Sequence, residues 1–140
     1  MFEKYYSQGE IRSEFCKEYI SLWSGWLGKE KLHLLDLVTK KEWEQFNSLI
    51  LAISNNFDVG TADRNSQTIS VPPDIRSTFK SHVDSLNSSA DSFAQYVIPQ
   101  LECVITEDWD YTYILWHQDN GALQALQPFI AGCQLKHFSE

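Results

Sequence analysis

Apolar positions in the first part of the chain recur at helical spacing. In residues 10–27, Ile11, Phe15, Tyr19, Leu22 and Trp26 step by four, four, three and four. That pattern is one face of an amphipathic helix. Ser7 is placed to cap its start and Gly28 its end. Residues 29–38 carry Leu32, Leu34, Leu35 and Leu37; leucine lacks β-branching, which favours a short helix over a strand. Thr39 and Glu42 then match a capping box, in which each side chain satisfies the other's free backbone amide. Trp43, Phe46, Ile50 and Ile53 follow at three, four and three, predicting a helix over 40–54.

Residues 55–71 are polar, with Gly60 and scattered Asn, Asp and Ser. They read as one long loop with a short strand at 68–71. Pro72-Pro73-Asp74 suits a helix start, since proline is tolerated in the first turn and an acid there complements the dipole. Ile75, Phe79, Val83, Leu86, Ala90, Phe93 and Val97 alternate steps of four and three up to Pro99. The spacing predicts a third long helix over 75–97. A stripe so sustained can also pair with a second copy of the chain, which makes 75–97 a candidate homodimer face.

After residue 100 the period changes to two. Residues 101–106 and 111–117 are rich in β-branched and aromatic side chains and predict two strands, joined by a hairpin loop at 107–110. Asp119 or Asn120 caps a helix running to about residue 130, with Pro128 inside it. Residues 134–138 predict a last strand. The expected fold is a single α+β domain: a helical N-terminal half of three main helices, packed on a small, mostly antiparallel sheet with C-terminal β-β-α-β order.

Charge adds a bias. The chain has a net charge of −8; residues 1–60 contribute −2 and residues 61–140 contribute −6. Clustered Lys and Arg, which nucleic-acid binding needs, are missing, so neither DNA nor RNA is an expected partner. An anionic membrane surface is disfavoured for the same reason, and a protein with a basic surface is favoured. Cys16, Cys103 and Cys133 form no CxxC pair and sit among apolar neighbours, which suits reduced core thiols in a reducing compartment. The first residues lack a basic stretch followed by an apolar run, so no signal peptide is expected and the predicted location is cytoplasmic.

The densest chemistry lies in ITEDWDYTYILWHQDNG, residues 105–121. Its acids and its histidine do not make a metal site, because His117 and Asp119 stand at one end of the second strand and the hairpin acids at the other, roughly 20 Å away. The sequence holds no phosphate-binding glycine motif and no nucleophile signature, so no cofactor and no catalytic residue is expected. What remains is a surface: Trp109 at the hairpin tip among Glu107, Asp108 and Asp110, with Asp58 and Asp63 on the long loop. An indole ringed by carboxylates has the anchor-and-rim layout of a protein interface. The expectation is therefore a non-enzymatic, acidic protein-binding module, one form of which is a bacterial immunity or antitoxin-type inhibitor of a basic toxin. The alternative is a small enzyme or ligand-binding domain, with a pocket between sheet and helices lined by Tyr111, Tyr113, Trp116, His117 and His137.

Overall fold

The computed structural model of the chain describes residues 1–86 and 93–140. A turn of 3-10 helix over Phe2–Lys4 leads into a small hairpin, β1 (Tyr6–Ser7) and β2 (Glu10–Ile11). Its two-residue loop places Gln8 at φ 54° and Gly9 at φ 81°. Both are left-handed, the backbone twist that a two-residue hairpin requires. Strand β3 (Cys16–Ser21) follows, then the short helix α1 (Gly28–Lys31) and a 3-10 turn over Leu32–Leu37. Helix α2 (Lys40–Ser54) opens with the Thr39–Glu42 capping box in place: the Glu42 amide donates to Thr39 Oγ1 and the Thr39 amide to Glu42 Oε1, at 3.1 and 3.0 Å.

Strands β4 (Gly60–Asp63) and β5 (Thr68–Ser70) form a second hairpin. Gly60 is needed there, since a Cβ at that position would lie 2.8 Å from the Ile69 side chain. A 3-10 turn over Ile75–Thr78, helix α3 (His82–Leu86) and strand β6 (Gln95–Ile98) come next. The chain then forms β7 (Cys103–Asp108), β8 (Thr112–His117), α4 (Asn120–Gly132) and β9 (Lys136–Phe138).

Seven strands make one antiparallel sheet in the order β5-β4-β6-β7-β8-β3-β9. One face carries Tyr96, Ile98, Cys103, Ile105, Tyr113, Leu115 and Ile20, packed under Trp43, Phe46, Leu49, Ile50 and Ile53 of α2 and Ala122, Leu126 and Ile130 of α4. The other face carries Val97, Val104 and Trp116, with Ala62 and Ile69. The N-terminal Phe2, Tyr5, Tyr6 and Phe15 cover it. Apolar side chains therefore leave water on both sides of the central strands, and the sheet is the middle of three layers.

The expected helical N-terminal half on a small sheet is overturned. Residues 10–27 hold β2 and β3, and no helix. Strand β3 lies between β8 and β9, and its Glu18, Tyr19, Ile20 and Ser21 are all buried. A strand covered on both faces loses the alternation that marks a half-exposed one, and its remaining apolar residues fell by coincidence at helical steps. The helix expected over 75–97 is also overturned. Phe79 is extended at φ −76°, ψ 143°, and residues 95–98 are a central strand. Ile75 and Val97 are buried on opposite sides of the sheet, so the described parts of 75–97 offer no continuous dimer face; residues 87–92 lie outside the described residues. The polar stretch 55–71 holds the hairpin β4–β5 at one side of the sheet: β5 falls on the short strand expected over 68–71, and β4 lies within the expected loop.

Candidate functional site

The register of β7 and β8 sets the geometry at one end of the sheet. Asp108 pairs with Thr112, which leaves Trp109, Asp110 and Tyr111 as a three-residue loop. Such a loop closes with its last residue left-handed, and Tyr111 has φ 55°. A bulky residue there carries strain of order 1 kcal/mol. Its side chain is held from the helix side: the ring stands edge-on to Trp43 at 6.0 Å between centroids, and the hydroxyl hydrogen-bonds His82 Nε2 at 3.2 Å. The Asp108 carboxylate accepts from the Trp109 amide at 2.8 Å. With Tyr111 drawn inward, Trp109 points out and remains 66% exposed.

Opposite this tip runs the segment WSGWLG, residues 23–28. Trp26 leaves β3 through Gly25 and packs edge-on against Tyr19 and Phe138, at 4.6 and 5.1 Å. It is still 48% exposed. Between this segment and the hairpin lies a cleft of about 300 Å³, walled by Trp23, Trp26, Leu27, Leu32, Trp109 and Phe138. Lys29 and Asp110 are the charged residues on its lining. On the far side of Trp109 a second hollow is bordered by Asp36, Glu107 and Asp108. An indole between two hollows, with carboxylates on the outer side, offers apolar area and negative potential together.

Asp110 is the unusual group. Its Oδ1 is out of reach of water and has no hydrogen-bond partner among the described residues. Burial pushes its carboxyl pKa up; the Thr112 hydroxyl opposes that, and the charge of Asp108 adds to it. The folded state therefore holds the Asp110 proton to a higher pH than the unfolded chain does. Unfolding releases that proton, so this residue's contribution favours the fold at low pH and is lost as pH rises through the folded pKa. The expected result is that Asp110→Asn is more stable than the parent near neutrality, with the advantage shrinking on acidification into the ordinary carboxylate range. Urea midpoints of the two proteins across that range check it; an advantage that does not change with pH would contradict the burial argument.

The structure brings together only part of the expected docking surface. Trp109 and Asp110 line the cleft and Asp108 flanks it. Glu107 borders the hollow beyond Trp109 but is not a free carboxylate: the loop begins two residues later than expected, so Glu107 is a strand residue opposite Tyr113 on the helix-covered face. It is buried and paired with Lys80 Nζ at 2.9 Å, and it accepts the Ala94 amide. Asp63 is engaged in the β4–β5 turn, accepting from the Asn65 and Ser66 amides. Asp58 lies at the other end of the sheet beside Gln100. Neither joins the hairpin tip.

The alternative pocket does not assemble. Tyr113 is buried beneath Phe46 at 5.0 Å between ring centroids. Trp116 faces the opposite side of the sheet, where its indole donates to Thr106 Oγ1 and Lys17 stands over its ring. His117 donates from Nδ1 to the Asp119 carbonyl at 2.8 Å, and His137 is held by the Glu18 carboxylate. Strand β3 separates the two histidines. Tyr111 lies back at the hairpin, bound to His82.

Sequence reasoning missed Trp23, Trp26, Leu27 and Leu32, because it placed Trp26 on the inward face of a helix. The signal was present: glycines at 25 and 28 bracket Trp26 and punctuate a loop. Among the described residues, no cluster of three or more His, Cys, Asp or Glu is placed to hold a metal ion, and no helix is long and apolar enough to cross a membrane. Comparison with family models, with curated proteins and with solved structures returned no match.

Proposed function

We propose that the protein is a non-catalytic module that binds a basic protein partner through the indole-lined cleft. The observation that carries this reading is the pair of solvent-facing indoles, Trp26 and Trp109, on the walls of one apolar cleft. Tryptophan is costly to leave in water and is enriched among the residues that dominate binding energy. Asp36, Asp108 and Asp110 border the two hollows on either side of Trp109, and the net charge of −8 supplies a field that attracts a cationic surface. An immunity or antitoxin-type inhibitor of a basic toxin is one form such a module takes, its carboxylates standing where the toxin would hold a polyanion.

Selection of random peptides on the immobilised protein tests this directly. The expected winners combine an aromatic or aliphatic anchor with Lys or Arg beside it. Trp109→Ala should weaken them by roughly thirtyfold, the size of a central anchor, and raising the salt should weaken them further. Winners that bind the Trp109→Ala protein as tightly as the parent would show that the cleft is not the docking surface.

A further inference from the structure

The proposed docking reading leaves open what enters the cleft, and the cleft's own chemistry narrows it. Its walls are indole, phenyl and leucine, yet a carboxylate stands among them. Asp110 makes no ion pair among the described residues, and its Oδ1 has no donor. Lys29 is the other charged group on the lining, and it too makes no ion pair there. Asp108, next to the tip, adds negative charge rather than neutralising Asp110. An apolar ligand would fill the walls and leave that carboxylate desolvated with nothing to offset it, which is unfavourable. A hydrated ammonium would satisfy the carboxylate but give up its water among the indoles. A guanidinium meets both demands. It is planar, weakly hydrated, stacks on indole faces and presents donors in a fork that fits a carboxylate. Its aliphatic stem can lie along Leu27 and Leu32.

We infer that the cleft receives an arginine side chain of the partner, with the guanidinium between the indoles and an N–H group on Asp110 Oδ2, the carboxylate oxygen that is not sealed from the cleft. This rests on the docking reading and specifies its central contact. The shape and chemistry of a 300 Å³ cleft suit one long side chain better than a helix or strand.

The probes are Nα-acetylarginine amide and its citrulline counterpart, which keeps the shape and removes the charge. Binding is read from the indole N–H signals of the five tryptophans by NMR, assigned by single Trp→Phe variants. The arginine amide should shift the Trp26 and Trp109 signals and bind about tenfold more tightly than the citrulline amide, as expected for a charge-assisted contact. Asp110→Asn should bring the two probes to the same affinity, and Trp109→Ala should weaken both. Thermal melting of each variant verifies that it is folded. Equal affinity of the two probes for the parent protein, no effect of Asp110→Asn, or no shift at Trp26 and Trp109 at roughly 50 mM arginine amide would each overturn the inference. Because the selected peptides are scored separately, peptides that need Trp109 but tolerate Arg→citrulline throughout would sink the arginine assignment and leave the docking reading standing.

Discussion

Lys80→Met is expected to destabilise the protein by about 3 kcal/mol, near the lower end for breaking a buried ion pair. Lys80 Nζ lies 2.9 Å from Glu107 Oε1, and the Glu107 side chain is only 4% exposed. Removing the cation leaves a nearly buried carboxylate on the helix-covered face, opposite Tyr113. Among the described residues the remaining donor is the Ala94 amide, and one neutral donor does not offset the charge. Methionine retains much of the lysine stem, and the contacts that the Lys80 carbonyl accepts from Trp43 Nε1 and Asn47 Nδ2 belong to the backbone. The loss should therefore come from the charge. Adding Glu107→Gln to Lys80→Met should recover part of it, since the orphaned carboxylate is then gone. Urea denaturation of the parent, both single variants and the double variant gives the coupling. A loss well under 1 kcal/mol for Lys80→Met would mean that Glu107 reaches water by itself, and its removal from the docking surface would have to be reconsidered.

Phe46→Ala should cost about 3–5 kcal/mol, as expected for deleting a buried aromatic ring. Phe46 is fully buried at the centre of α2, with its ring centroid 5.0 Å from Tyr113 and 5.8 Å from Trp43. It is the residue through which the best-capped helix meets the central strands. At a few degrees per kcal/mol for a chain of this size, Tm should fall by about 10 °C. Trp109→Ala is the internal contrast. Its ring is solvent-facing, so that substitution should leave Tm within a degree or two, equivalent to about 0.5 kcal/mol. Calorimetry of the two variants separates the side chains that hold the fold from the one placed to meet a partner. A large loss from Trp109→Ala would mean that the indole seals the hairpin against the body of the protein.

That contrast also explains what the sequence could reveal. Helix α2 is legible because every local signal agrees: the Thr39–Glu42 box, the apolar steps Trp43, Phe46, Ile50 and Ile53, and a single face turned to the sheet. Strands β7 and β8 are legible from their aromatic and β-branched content. Strand β3 is not, because its strand neighbours β8 and β9 and the helices over its Ile20 face come from residues far along the chain. Its Glu18 is buried against His137, a contact no local window contains. Strand β4 sends Ala62 alone towards the core and reads as loop, whereas the edge strand β5 is legible as the short strand expected over 68–71. In the site, Trp109 was found because the hairpin is a local structure. The opposite wall was missed because Trp26 reaches Tyr19 and Phe138 only after β3 and β9 are paired. The two-residue difference in where the hairpin loop begins decided the fate of Glu107, since it made Glu107 a strand position, and a strand position either faces the helices or does not.

The position of β3 has a consequence for how the molecule comes to exist. This strand pairs on one side with residues 112–117 and on the other with residues 136–138, its partners across β8 lying roughly a hundred residues further along the chain. During synthesis it must wait unpaired, with Tyr19 and Ile20 still in water, until nearly all of the described chain has left the ribosome. Loop closure over that span is slow compared with helix formation. Helix α2 and the β7–β8 hairpin can therefore form while the strand that completes the sheet is still searching. In that interval the nascent chain is at its most vulnerable to association with other chains through its unpaired strand edges.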